Sequence, residues 1–387
     1  MPTRILVVDD EPDLELLIRQ KFRPQIRDRQ FEFLFARSGL QALETLQEVK
    51  EIDIILTDIN MPEMDGLTPL SKLSEHGPIL KAVIVFTYGD MDNIRTAMNR
   101  GAFDFLTKPI DFQDLQATIN ETLQEVILLK QGLIEHEQLV SIQRELDIAS
   151  RIQQSILPRV FTPPPGVTGY EIYAEMIPAK QVGGDFYDFF FVDGERLGFV
   201  IGDVSGKGVP AAIYMALSRA LLRATALQGL SPGECLDRVN AVLCLENESG
   251  MFVTVCYGIL NLGTGGIEYS TGGHHPPYLL RSTGAVEVME ATGGMVVGMM
   301  EQVEFHTKNV LLRPEDSVVL YTDGVTEAVN SEDEFFSDAP LMGFLEHSYH
   351  RSPRQIIDGI VAEVKQFSTG IAQSDDITVL ALKFHGV

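Results

Sequence analysis

The sequence predicts a multidomain chain: an α/β, doubly wound parallel five-stranded sheet first, then a long helical connector, then an α+β layered sandwich. Three observations carry this. Short apolar runs alternate with segments of helical spacing over residues 4–125, the pattern of βα units around a parallel sheet. Residues 111–157 hold no proline and one glycine, Gly132. Beyond Pro163-Pro164-Pro165-Gly166, which halts a helix, many strand-like runs are broken by few, separate helical segments. At 387 residues the chain exceeds one ordinary core. The expected divisions are 1–122, 123–160 and 161–387.

In the first division the apolar runs are 4–8, 31–36, 53–57, 81–86 and 103–106. Leu14, Leu17, Ile18 and Phe22 mark one intervening helix, and Ala42, Leu43, Leu46 and Val49 the next. In such sheets the site lies beyond the carboxyl ends of the strands. Those ends carry Asp9 and Asp10, Asp58, Thr87 and Lys108. Three carboxylates, a hydroxyl and an ammonium can hold one Mg²⁺, offer a carboxylate nucleophile to a phosphoryl donor, and neutralise the product.

Ile5-Leu-Val-Val-Asp-Asp-Glu11, Thr57-Asp58-Ile59-Asn60-Met61-Pro62-Glu63-Met64-Asp65-Gly66 and Phe105-Leu106-Thr107-Lys108-Pro109 resemble the receiver domain of two-component response regulators, a flavodoxin-like fold. The resemblance covers roughly residues 3–122. It implies that Asp58 is the phosphoacceptor and that Asp9, Asp10, Asp58 and the Asn60 carbonyl bind Mg²⁺. It further implies that Lys108 pairs with the phosphoryl oxygens, that Thr87 hydrogen-bonds them, that Phe105 is the aromatic that turns inward as Thr87 moves, and that a sensor histidine kinase is the donor.

The connector carries two apolar stripes. Leu115, Ile119, Leu123, Val126 and Leu133 form the first. Leu139, Ile142, Leu146, Ala149 and Ile156 form the second, with polar Gln153 at one expected apolar site and a slip of phase around Ile134–Gln138. A two-stranded coiled coil with an irregular repeat explains a stripe this long; the competing reading is an amphipathic helix lying on its own domain. Glu145 to Pro158 resembles the segment that precedes many bacterial regulatory phosphatase domains.

In the third division strands are expected at 170–175, 186–192, 197–202, 252–262, 266–271, 276–281, 285–289, 303–312, 317–321 and 377–384. Helices are expected from Val209 or Pro210 to Leu227, from Pro232 to Leu245, and near 338–348 and 353–368. Four acids, Asp185, Asp203, Asp323 and Asp375, each sit at the edge of an apolar run among small residues. Brought together they would repel strongly unless hard, oxygen-loving cations such as Mg²⁺ or Mn²⁺ lay between them. Gly206-Lys207-Gly208 imitates a dinucleotide-binding turn, but a second helix follows where a strand with a ribose-binding acid belongs. Without a G-x-S-x-G elbow, a serine hydrolase has no nucleophile.

Gly183-Gly184-Asp185-Phe186-Tyr187-Asp188, Gly202-Asp203-Val204-Ser205-Gly206-Lys207-Gly208, Gly272-Gly273-His274-His275-Pro276-Pro277, Tyr321-Thr322-Asp323-Gly324 and Ser374-Asp375-Asp376-Ile377-Thr378 resemble the metal-dependent serine/threonine protein phosphatases (type 2C, PPM), in particular the SpoIIE/RsbU branch. The resemblance spans roughly residues 170–385. It implies two Mn²⁺ or Mg²⁺ held by Asp185, Asp203, the Val204 carbonyl, Asp323 and Asp375, with Asp375 preferred over Asp376 because the family's ligand precedes the residue before Ile-Thr. It also implies a phosphorylated regulator as substrate, typically an anti-sigma-factor antagonist. His274 and His275 fit a structural loop as well as a catalytic acid. Lys207 fits a phosphate contact or an exposed helix-start lysine. Asp188 reads as a surface or supporting acid, and the phosphate-binding arginine of the eukaryotic relatives has no counterpart.

The net charge is −25, divided as −9 over residues 1–125, 0 over 126–160 and −16 over 161–387. Neither half offers the basic footprint that nucleic acid requires. Three cysteines without a CxxC pair point to a reducing cytoplasm, the start shows no signal peptide, and no apolar run approaches the ~20 residues of a membrane span. The sequence therefore reads as a cytoplasmic response regulator, a homodimer through its linker, whose output is a metal-dependent phosphatase. The alternative is a catalytically inactive phosphatase-fold adaptor that binds a sigma factor; such an adaptor would have lost metal ligands, and this chain keeps all four acids.

Overall fold

The computed structural model describes residues 2–59, 61, 79–87, 91–245 and 247–386. They form two compact units, 1–142 and 143–387. In the first, β1 (Thr3–Val8), β2 (Phe31–Ala36), β3 (Ile54–Asp58), β4 (Lys81–Thr87) and β5 (Asp104–Lys108) form a parallel sheet of order β2-β1-β3-β4-β5. Alternate residues of β1 face opposite sides. Leu6 and Val8 join Ala42 and Leu46 of α3 (Gly39–Glu48). Ile5 and Val7 join Leu14 and Ile18 of α1 (Pro12–Lys21). A strand buried on both faces must be apolar throughout, which is why these runs are continuous. A short α2 (Arg23–Arg27) and α4 (Met91–Asn99) complete the unit's shorter helices among the described residues.

The connector is one unbroken helix, α5 (Phe112–Ile156). Its first stripe divides. Leu115, Ile119 and Val126 are buried, the first two in the core beneath the sheet, so this stretch lies on its own domain as the competing reading held. The grip extends to Lys130, whose Nζ meets the buried Asp53 carboxylate at 2.6 Å, at the opposite end of β3 from Asp58. Beyond it, Leu133, Leu139 and Ile142 are exposed and Leu146, Ala149 and Ile156 half-buried. No helix among the described residues is long and apolar enough to cross a membrane.

The second unit stacks two antiparallel sheets between helices. One has the order β13-β10-β9-β8-β7: β7 (Phe186–Phe191), β8 (Arg196–Val204), β9 (Val253–Asn261), β10 (Gly266–Gly272) and β13 (Lys308–Leu311). The other has the order β12-β11-β14-β15-β6: β6 (Tyr170–Ile177), β11 (Tyr278–Leu280), β12 (Val286–Val288), β14 (Ser317–Tyr321) and β15 (Ile377–Phe384). Leu380, Leu382 and Phe384 of β15 belong to the core shared with the first sheet. Ile377, Val379 and Ala381 pack instead with α9 (Asp338–Glu346) and α10 (Pro353–Phe367). On the first sheet lie α6 (Val209–Ala226) and α7 (Pro232–Cys244), α7 opening on a Ser231/Glu234 capping box. A one-turn α8 (Asp323–Thr326) follows β14.

Some expected strands are shorter than the sequence suggests: 276–281 narrows to Tyr278–Leu280 and 285–289 to Val286–Val288. Of 303–312 only 308–311 joins a ladder. Phe305 N donates to Asp237 Oδ1 and Thr307 Oγ1 accepts from Gly233 N, so α7 takes a backbone amide that the strand would have used and fixes the Thr307 side chain beside it. Asp188 also departs from a surface reading. It is wholly buried and meets Arg219 Nη2 at 2.8 Å and Arg223 Nη1 at 2.9 Å, fastening α6 to β7.

Candidate functional site

The strand ends of the parallel sheet bring Asp9, Asp58 and Lys108 together. Lys108 Nζ lies 2.6 Å from Asp58 Oδ2, 2.9 Å from Asp9 Oδ2 and 3.1 Å from Glu11 Oε1. Burial works against the ammonium, but its bonds to Asp58 and Asp9 prevail and hold its pKa above the usual lysine range. Burial raises the Asp9 carboxyl, opposed by the Glu11 amide and by Lys108. Thr87 pairs across the ladder with Lys108 and is exposed. Phe105 is 43% exposed against Phe86, at 5.6 Å between centroids, so it faces outward here. Among the described residues, Asp9, Asp10 and Asp58 form the one set of three or more acidic, histidine or cysteine side chains whose donor atoms all lie within 4.8 Å of each other. Asn60 lies outside the described residues.

The second cluster is assembled from four segments of the two-sheet unit. Asp185 precedes β7 and is 1% exposed; Asp203 lies near the end of β8; Asp323 opens α8; Asp375 precedes β15. Burial pushes Asp185 well above the carboxylate range, and Asp203 and Asp376 push it further. Asp203 is pushed up to about 7 by burial and by Asp323, while its neighbour Asp185 works the other way. Burial, then Glu327 and Asp375, raise Asp323, with His275 opposing. These acids are linked pair by pair and are spread more widely than the set around Asp58. An all-oxygen set of mutually repelling carboxylates fits hard divalent cations.

The neighbouring acid has a different role. Asp376 Oδ1 accepts from Ala179 N at 2.8 Å and its Oδ2 from Gly184 N at 2.7 Å, so it clamps the loop that carries Asp185. Asp375 instead meets Lys207 Nζ at 2.7 Å. Glycine is required around this clamp. A Cβ on Gly184 would come within 2.8 Å of the Val204 carbonyl oxygen, and one on Gly324 would overlap the Asp376 carbonyl.

Sequence reasoning left three residues without a role. Thr322 Oγ1 donates to Asp185 Oδ2 at 2.7 Å and accepts from Thr378 N at 3.0 Å, holding the buried carboxylate against β15. His274 is buried between the sheets. Its Nε2 lies 3.0 Å from the Tyr321 carbonyl, which can only accept, so Nε2 carries the proton and Nδ1 accepts from Thr254 Oγ1 at 2.9 Å. Gln153 of α5 is buried: its Nε2 donates to Gly183 O and its Oε1 accepts from Gly183 N at 3.0 Å. Its interruption of the apolar stripe was the only sign of that contact.

His274 gives a pH prediction. Burial, then the charge of His275, lower its pKa to about 3, below the ordinary 6.5. A depressed folded-state pKa means that its contribution to stability is complete above about 6.5 and is lost as pH falls toward 3. Unfolding free energy measured against pH should therefore fall below about 6.5, and His274→Gln should flatten that slope by up to one proton. An unchanged slope in the variant would show that His274 does not titrate with unfolding.

Residues 5–120 match the family described as Response regulator receiver domain, and residues 193–385 the one described as Stage II sporulation protein E (SpoIIE). The chain joins a response-regulator receiver domain to a SpoIIE-family domain. Asp203, Asp323 and Asp375 fall inside the SpoIIE match, and Asp185 just before it. The chain is similar to Protein IcfG of Synechocystis sp., 32% identical over 265 residues that make up 62% of this chain and 41% of that protein. It is similar to Phosphoserine phosphatase RsbU of Bacillus subtilis, 29% identical over 254 residues, 64% of this chain and 74% of that protein. The chain thus spans less than half the length of IcfG and about three quarters of RsbU. The SiaA-PP2C domain of Pseudomonas aeruginosa superposes with a TM-score of 0.57 at 21% identity, covering 64% of this chain and 98% of that domain, a likeness of fold.

Proposed function

We propose that phosphorylation of Asp58 by a sensor histidine kinase controls a metal-dependent phosphoserine/phosphothreonine protein phosphatase in the second unit. What supports the proposal is the packing of the segments that carry these acids: Thr322, beside Asp323, binds Asp185, Asp376, beside Asp375, binds the Gly184 amide, and Gly184 lies against Val204, beside Asp203. Asp185, Asp203, the Val204 carbonyl, Asp323 and Asp375 would hold two Mn²⁺ or Mg²⁺ ions. Such a pair supplies a hydroxide at neutral pH and charge to steady the phosphoryl oxygens. The chain's own residues do the positioning: Thr322 orients Asp185, and Asp376 fixes the loop before it. No protein nucleophile is needed for in-line displacement by water.

In the receiver domain, Asp9, Asp10 and Asp58, with the Asn60 carbonyl, would hold one Mg²⁺. Lys108 already lies against Asp58 and would turn to the phosphoryl oxygens, with Thr87 and Phe105 as the moving pair. The phosphorylated substrate is a small regulator such as an anti-sigma-factor antagonist, in keeping with the likeness to RsbU. The protein works in the cytoplasm as a homodimer through the exposed apolar positions of α5, Leu133, Leu139 and Ile142, with a receiver of 1–122, a linker of 123–160 and an output domain of 161–387.

Asp58→Asn tests receiver control. With a small phosphodonor, Mn²⁺-dependent turnover of a phosphoserine peptide should change several-fold in the wild type, upward in our reading, and stay constant in the variant. The same response in both proteins would remove Asp58 from the control of the output.

A further inference from the structure

Among the described residues, Lys207 is the lysine placed on the acidic cluster, and the receiver-linked phosphatase reading leaves it without a role. It leaves the turn after β8 between Gly206 and Gly208, which take φ of 88° and 78°, so the turn that presents Asp203 also presents this ammonium. Its Nζ lies 2.7 Å from Asp375 Oδ2 and donates to the Ser374 carbonyl at 2.7 Å. The other Asp375 oxygen accepts from Asp376 N at 2.9 Å. Among the described residues, Asp185, Asp203 and Asp323 have no lysine or arginine ion pair within 4.0 Å. The Lys207 side chain is 44% exposed, so it can swing into water without disturbing packing.

We infer that Lys207 and a divalent ion are alternative occupants of the Asp375 carboxylate, so that this lysine sets how weakly the ion on Asp375 is held. An ion ligated by Asp375 lies roughly 2.0–2.2 Å from the oxygen for Mg²⁺. An ammonium kept on that same oxygen would remain within a few ångströms of it, where a double and a single positive charge repel. Binding of that ion therefore requires the ammonium to leave Asp375 and Ser374. Lys207 is a positioning residue in this scheme: it holds the 374–375 loop until an ion replaces it. Raising the divalent ion concentration, or displacing the lysine, completes the same site.

The inference rests on Asp375 being a metal ligand, and the experiment separates the two claims. Mn²⁺ would be titrated calorimetrically into the full chain as wild type, Lys207→Met, Lys207→Arg, Asp375→Asn and the Lys207→Met/Asp375→Asn double variant. The Mn²⁺ whose binding depends on Asp375 should bind about tenfold more tightly to Lys207→Met, as in the wild type to Lys207→Arg, and far less tightly to Asp375→Asn. In the Asp375→Asn background, Lys207→Met should add nothing. Weaker Mn²⁺ binding by Asp375→Asn together with no gain in Lys207→Met would overturn the competition and leave the metal site standing. Unchanged Mn²⁺ binding by Asp375→Asn would remove Asp375 as a ligand, and the competition with it. Thermal unfolding without metal checks that each variant is folded, and Lys207→Gln serves if the methionine variant is not.

Discussion

Asp203→Ala is expected to lower Mn²⁺-dependent hydrolysis of a phosphoserine peptide by at least about three powers of ten, the scale of several kcal/mol of metal-borne transition-state stabilisation. Asp203 is the acid on which the others act together: burial and Asp323, then Asp375, raise its carboxyl, and Asp185 opposes them. Removing it takes a donor from the centre of the set and leaves the remaining acids further apart. The same logic makes the variant a useful control, because the fold does not depend on this carboxylate. Its pKa is raised to about 7, so its contribution to stability is complete below about 4 and is lost as pH rises through 7. At neutral pH without metal, Asp203→Asn should therefore unfold at the wild-type temperature or above it. A variant that is stable, folded and inactive separates chemistry from architecture; retained metal-dependent activity would remove the site.

The second large effect concerns stability. Asp188→Ala should unfold with about 3 kcal/mol less free energy than the wild type, at the lower end of what removing one partner from a buried ion pair costs. Asp188 is completely buried, and its loss strands Arg219, whose side chain is 11% exposed, together with the 40% exposed Arg223. Burial raises the Asp188 carboxyl even though both arginines oppose it, so the network is no strong net stabiliser as it stands. The cost comes from leaving guanidinium charge unpaired against the apolar flank of α6. Arg223 is screened and also lies 5.0 Å from the centroid of the Phe190 ring, which keeps the estimate at the lower end. Urea unfolding gives the measurement. A change within about 0.5 kcal/mol, the range of an ordinary surface substitution, would mean that solvent already screens the pair.

Much of this was legible in the chain because the informative residues sit where local pattern is strongest. Asp9, Asp58 and Lys108 each end an apolar run, and in a parallel sheet that placement alone sends them to one edge. Asp203 and Asp323 stood out because each closes an apolar run beside a glycine, although in antiparallel sheets that placement alone does not send them to one edge. What stayed hidden depends on partners distant in sequence. His274 joins Thr254 on one sheet to Tyr321 on the other, and no pattern around Gly273 announces either. Asp376 differs from Asp375 only because its oxygens reach amides nearly two hundred residues away. The first stripe of α5 could not be assigned from periodicity, since a receiver core and a second helix ask for the same apolar spacing. Residues 303–307 fail as a strand because α7 offers Asp237 and Gly233 as partners, which alternation cannot reveal.

The paired hydrogen bonds between Gln153 and Gly183 limit what the long helix can do. Advancing a helix by one residue turns a side chain through about 100° and shifts it about 1.5 Å along the axis, enough to forfeit both bonds at once. Any torque travelling down α5 meets this latch two residues before Asp185. The amide of one glutamine thus ties the loop before Asp185 to helix rotation, in discrete steps instead of by gradual strain.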